Sequence, residues 1–146
     1  MLRRFAPWRV AVPQQPTGND RKVVIVVEDE PAIGELIAGA ISDEPGYYAV
    51  LITDATKALE TTKHIAPDVM VLDIRLPGMS GFELYDRLRS DARTQKIPVL
   101  FETANGAENA AEFRKRGIAT YVEKPFDLWE IVGYVKRLAT GALPVA

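Results

Sequence analysis

Residues 22–30 read KVVIVVEDE, a run of apolar, mostly β-branched side chains followed at once by three acids. A short run with no polar residue alternating into it suits a strand covered on both faces, the mark of a parallel sheet. Four more such runs follow: YAVLI (48–52), DVMVL (68–72), IPVLF (97–101) and IATYV (118–122). Between them the period becomes that of a helix. Ile33, Leu36, Ile37, Ala40 and Ile41 fall at i, i+3, i+4, i+7 and i+8, so one apolar stripe is expected. Ser80 with Glu83 is a capping-box pair opening 81–90, and Asp127 with Glu130 repeats it before 128–139. Gly117 stands where the segment 105–116 should stop. The alternation is (βα) five times over. Right-handed crossovers then predict an α/β fold, a three-layer sandwich on a doubly wound parallel sheet.

Around this single domain, 22–139, residues 1–21 carry four prolines or glycines and no period, as expected of a flexible arm, and 140–146 form a short tail. At 146 residues, 47% hydrophobic and 26% charged, the composition is that of a soluble globular protein. A net charge of −2 argues against a general nucleic-acid binder. The absence of cysteine excludes disulfides and thiolate chemistry, and the single histidine, His64, excludes a multi-histidine metal site. No apolar run approaches the roughly 18 residues of a membrane span, and the basic start MLRRFAPWRVAVP lacks the apolar stretch of a signal peptide. A cytoplasmic protein is expected.

In an open α/β sheet, ligands sit beyond the carboxyl ends of the strands. Glu28, Asp29 and Glu30 follow the first strand, Asp73 ends the third, Thr103 the fourth, and Lys124-Pro125 the fifth. Each has an ordinary reading by itself, as a helix-start acid, a turn residue, a cap or a surface lysine. Together they meet at one sheet edge. Crowded carboxylates must raise a pKa or take a cation, and with oxygen ligands alone the fitting ion is hard, Mg²⁺ or similar. A cation beside an aspartate, a lysine and a hydroxyl is equipment for phosphoryl transfer.

The segments VVEDE, VLDIRLPGMSG, the TA of FETAN, and YVEKPF, in this order over about residues 22–139, resemble the receiver domains of two-component response regulators. The resemblance implies a flavodoxin-like strand order, 2-1-3-4-5. It implies that Asp73 accepts a phosphoryl group from a phosphohistidine on a sensor histidine kinase or a histidine phosphotransfer protein. Asp29 and Asp73 would ligate Mg²⁺ directly, Glu28 through water, and the backbone carbonyl of Arg75 would complete the protein ligands. Lys124 would hold a phosphate oxygen, with a cis peptide before Pro125. Thr103 would swing toward the phosphate and Tyr121 change rotamer with it. The chain would be a phosphoacceptor switch, with self-phosphorylation and autodephosphorylation chemistry, and not an enzyme.

Some positions depart from the commonest pattern. Glu28 replaces the more frequent Asp, Glu102 stands where an apolar or small residue is usual, and Ile118 where Ala is common. Arg75 and Asn105 occupy the variable positions that tune phosphate lifetime. After Leu138 only ATGALPVA remains, so output through protein contacts of the surface formed by the fourth helix, fifth strand and fifth helix is expected, to a downstream protein or a second copy, with no nucleic acid or membrane involved. Trp129 lies about 140° from the core stripe of its helix and is the candidate anchor. The arm, with Arg3, Arg4, Phe5, Trp8 and Arg9, could instead be a docking peptide. A receiver fold acting only through protein contacts, without phosphorylation, is the alternative. Enzymatic rivals fit less well. A haloacid-dehalogenase-type phosphatase would want Asp at Arg75, and a flavodoxin would want a hydroxyl- and glycine-rich loop in place of Glu28-Asp29-Glu30.

Overall fold

KVVIVV forms β1, Lys22–Val27, and its register partners lie on both sides: Tyr47–Ile52 of β2 and Val69–Leu72 toward β3. The computed structural model describes residues 20–143. Its elements run β1, α1 (Pro31–Ser42), β2 (Tyr47–Ile52), α2 (Ala55–Thr61), β3 (Val69–Asp73), α3 (Gly81–Arg89), β4 (Val99–Thr103), α4 (Gly106–Lys115), β5 (Tyr121–Glu123) and α5 (Leu128–Ala139). The five strands are parallel in the order β2-β1-β3-β4-β5. This is the doubly wound three-layer sandwich expected. The expected arm lies outside the described residues except for Asp20 and Arg21. In the tail, Leu143 packs on the core.

The period-two alternation of the central strands divides the core. Ile25, Val27, Met70, Leu72 and Phe101 face α2, α3 and α4, while Val24, Val26, Val71, Leu100 and Val122 face α1 and α5. By the same alternation Glu28, Asp73 and Glu102 fall on the α1–α5 side at the carboxyl end of the sheet. The caps are as read. The Ser80 hydroxyl accepts from the Glu83 N–H at 3.1 Å, and Gly117 has φ +71°. Asp127 caps α5 by accepting from the Trp129 N–H at 2.8 Å, one residue short of the box geometry.

Three expectations need correction. Burial on both faces holds for β1, β3 and β4, but β2 and β5 are only partly covered because strand order makes them edges. The run 118–122 contributes a strand only from Tyr121, and 97–101 only from Val99, since Pro98 has no N–H for a ladder. Leu36 is not in the buried stripe of α1: Gly34, Ile37 and Ile41 are buried, and Leu36 is 60% exposed. Gly34 seats on β2, where a Cβ would stand 2.4 Å from the Leu51 side chain, and with Gly34, Ile37 and Ile41 facing the sheet, the 100° per residue of the helix carries Leu36 to the outer side. No helix among the described residues is long and apolar enough to cross a membrane.

Candidate functional site

Asp73, at the end of β3, is 4% exposed and faces a cavity of about 280 Å³ that Asp29, Arg75, Thr103, Asn109 and Lys124 also line. The Arg75 N–H donates to Asp73 Oδ1 at 3.2 Å, and Lys124 Nζ donates to Oδ2 at 3.1 Å. The turn after Asp73 is held close by Gly81. A Cβ at that residue would stand 2.3 Å from the Asp73 carbonyl oxygen, and the Gly81 N–H donates to Ile74 O at 2.8 Å. The second glycine of GMSG is therefore required for the carboxylate's placement.

The acids expected to share a cation do come together. Glu28, Asp29 and Asp73 each offer a carboxylate oxygen within 4.8 Å of the others, with Asp29 exposed and the other two buried. Glu28 Oε2 is buried with no hydrogen-bond partner. Burial first, then the neighbouring Asp73 and Glu102, push the Glu28 carboxyl up to about 10. An orphaned buried carboxylate in an all-oxygen acidic cluster is what a hard divalent cation satisfies. The residues present fit Mg²⁺.

Lys124 reaches the cluster across β4 from the loop after β5, where the Lys124–Pro125 peptide is cis. Its ammonium lies 3.1 Å from Asp73, 3.4 Å from Glu28 and 3.7 Å from Glu102. Burial works to lower its pKa, but the three carboxylates outweigh burial and hold it above the ordinary lysine range. Glu102 is fully buried, and desolvation raises its pKa. The register pair Asp73↔Glu102 sets it on the strand beside Asp73, with a carboxylate oxygen 3.7 Å from the lysine ammonium.

Thr103 is 2% exposed, and its hydroxyl is occupied on the α4 side. It accepts from the Asn105 N–H and from Asn109 Nδ2, both at 3.0 Å. Asn109 was not picked out from the sequence; its place one turn after the Asn105 cap was the available signal. Tyr121 stacks on Phe113 with centroids 4.2 Å apart and rings 9° from parallel. A Cβ at Gly106 would meet the Tyr121 ring at 2.8 Å, so this glycine makes the room in which the ring sits. Trp129 is outward, 73% exposed, but it lies beside Leu36, Gly39 and Ala40 of α1. It stands on the α1–α5 face, apart from the Thr103–Tyr121 side of the sheet.

A stability consequence follows from Glu28. Its folded pKa lies above the ordinary carboxylate value, so stability present at low pH is lost as pH rises toward about 10. In EDTA the melting temperature should fall between pH 6 and 9, and Glu28→Gln should flatten that slope. One proton accounts for at most about 1.4 kcal/mol per pH unit. Parallel melting curves for the two chains across this range would contradict the assignment.

Comparison with known proteins agrees with this geometry. The response regulator receiver domain family matches residues 24–136. The phosphate regulon transcriptional regulatory protein PhoB of Rhizobium meliloti is 37% identical over 83% of this chain and 53% of its own length. The chain spans about half the length of most curated relatives it matches, and 8% of a Dictyostelium discoideum hybrid signal transduction histidine kinase. Among solved structures, the Francisella response regulator 1452 receiver domain superposes with a TM-score of 0.74 at 27% identity, over 84% of this chain and 100% of that one. The receiver domain of sensor histidine kinase PA1611 from Pseudomonas aeruginosa PAO1, with a magnesium ion coordinated in its active site cleft, shares the fold. Its TM-score is 0.71 at 24% identity, over 82% of this chain and 98% of that one. With five parallel strands in the same order and the acids, hydroxyl and lysine at one sheet edge, the chain belongs to the response regulator receiver domain family.

Proposed function

We propose that Asp73 is the phosphoacceptor of a Mg²⁺-dependent switch, charged by a sensor histidine kinase or a histidine phosphotransfer protein. The observation that carries this reading is the Asp73 carboxylate, buried yet facing the cavity, with Lys124 on one oxygen and the Glu28–Asp29 acids beside it. Asp29 and Asp73 would hold the ion directly, Glu28 through water, and Arg75 through its carbonyl. When bound, the ion offsets negative charge on phosphoryl oxygens. The carboxylate of Asp73 attacks phosphorus in line, the phosphorus–nitrogen bond of the phosphohistidine breaks, and the imidazole leaves with the electron pair. Lys124 follows the transferred group, exchanging its contact on Asp73 for a phosphoryl oxygen.

Release of the Thr103 hydroxyl from Asn105 and Asn109 is the next step. Turned toward Asp73, it donates to a phosphoryl oxygen, and Tyr121 rotates into the vacated space. The lost Phe113–Tyr121 stacking is worth about 0.5–1.5 kcal/mol, so the two states stay close in energy. Output then passes through the α4-β5-α5 surface to a downstream protein or a second copy of the chain. Trp129, on the α1 side, is a separate surface.

The reading is tested by adding beryllofluoride with Mg²⁺ and following Tyr121 by NMR. The ring should change environment in wild type, and Thr103→Ala should reduce partner affinity gains several-fold while leaving beryllofluoride bound. A partner response that survives Thr103→Ala undiminished removes Thr103 from the coupling. No beryllofluoride binding at all favours a receiver fold acting through protein contacts alone.

A further inference from the structure

The two most exposed large apolar side chains among the described residues, Trp129 at 73% and Leu36 at 60%, stand on adjacent helices and line one groove between α1 and α5. The groove consists of two adjoining depressions of about 550 Å³ and 380 Å³, and Leu36 and Leu128 line both. Pro125 and Phe126, directly after Lys124, line the larger depression. Trp129 lines the other depression together with the acids Glu35 and Asp43. A Cβ at Gly39 would meet nothing within 4 Å, so the groove is open along α1. A continuous apolar channel with an acidic end fits an extended segment that carries aromatic and cationic side chains.

The chain carries such a segment. Residues 1–19 contain Arg3, Arg4 and Arg9 with Phe5 and Trp8, and no acid. The net charge of −2 is therefore +3 on these residues and −5 on the remainder. Reach is sufficient. Trp8 lies 12 residues before Asp20, a span of up to about 40 Å when extended, whereas the six residues of β1 cover only about 20 Å. A groove-to-groove contact with a second copy would instead oppose the Glu35 and Asp43 acids of both.

We propose that residues 3–9, RRFAPWR, dock in the α1–α5 groove of their own chain. Phe5 and Trp8 pack on Leu36, Leu128 and Trp129, and the arginines face Glu35 and Asp43. The segment then also covers Pro125 and Phe126, next to the lysine of the site. The fit depends only on this groove and this segment, not on phosphoryl transfer.

The chain holds two tryptophans, Trp8 and Trp129, one on each side of the contact. Full-length chain labelled with 5-fluorotryptophan should give two ¹⁹F resonances, assigned with Trp8→Phe and Trp129→Phe. Leu36→Asp, at an exposed position, should move the Trp8 resonance to its denatured-chain value and raise acrylamide access to Trp8 several-fold. Replacing Arg3, Arg4 and Arg9 by Glu should move the Trp129 resonance, and 0.5 M salt should shift both part of the way. Thermal melts matching wild type confirm that the variants are folded. A Trp8 resonance that already sits at its denatured-chain value and ignores Leu36→Asp overturns the proposal. Shifts that disappear on dilution place the segment on a second copy and overturn its intramolecular form.

Discussion

Phosphotransfer to an Asp73→Asn chain should fall by on the order of 10³-fold or more, because removing a covalent nucleophile leaves only positioning and electrostatics. The fold should survive. Asparagine keeps the size of the side chain, and the register pairing of β3 with β4 is a backbone property. Lys124 would lose its contact at 3.1 Å but keep Glu28 and Glu102 nearby. Neither acid can take over as acceptor. Glu28 and Glu102 are fully buried, and Asp29 and Glu30 lie on an exposed loop, neither in an ion pair with a lysine or arginine among the described residues. Transfer assays with a histidine-phosphorylated donor, alongside matched thermal melts, measure both halves. A folded variant labelled at the wild-type rate would contradict the assignment.

Asp29→Ala should be the second most damaging change. Its side chain is exposed and makes no contact that the fold needs, yet it is one of three carboxylates converging within 4.8 Å. Without a cation, the carboxylate of Asp73 opposes the approach of an anionic donor. The loss of charge offset is worth about 3 kcal/mol, so labelling should fall about 100-fold. EDTA should reproduce the effect in wild type and add little in the variant. Titration with Mg²⁺, followed by Asp73 labelling and by melting temperature, separates metal loss from unfolding. Labelling of wild type that is indifferent to EDTA would remove the metal from the mechanism.

Much of this architecture was legible in particular residues. KVVIVV read as β1 to the residue, because a short β-branched apolar run bounded by charged residues suits a strand covered on both faces. The strand-end acids, Thr103 and Lys124 converge as expected because a parallel sheet brings all carboxyl ends to one edge. What failed depended on neighbours far away in sequence. Edge position, which leaves β2 and β5 half covered, is set by strand order and not by the run itself. Leu36 has the right helical spacing for burial, but the helix presents Gly34, Ile37 and Ile41 to the sheet, which leaves Leu36 on the outer side. Angular position told that Trp129 points outward, but not that α1 stands beside it. The contacts of Asn109 and Gly106 are likewise tertiary and lie outside the quoted segments; Gly81 ends one of those segments, but its close approach to the Asp73 carbonyl is a contact that only the fold shows.

The placement of Glu102 is the least ordinary feature of the site. It adds a third carboxylate around a single ammonium, fully buried, and both its oxygens lack hydrogen-bond partners. Buried charge of this kind is tolerable only when shared with a cation or neutralised by a proton. The upward displacement of both Glu28 and Glu102 follows from that constraint.

The most direct measurement is to map the phosphoryl group itself. The full chain is phosphorylated by a histidine-phosphorylated donor with Mg²⁺, trapped by borohydride reduction of the acyl phosphate, digested, and sequenced by mass spectrometry. Asp73 should be the one reduced residue, with no product in EDTA. Reduction at another carboxylate, or an unmodified Asp73 in a chain that has taken up phosphate, would contradict the switch as described.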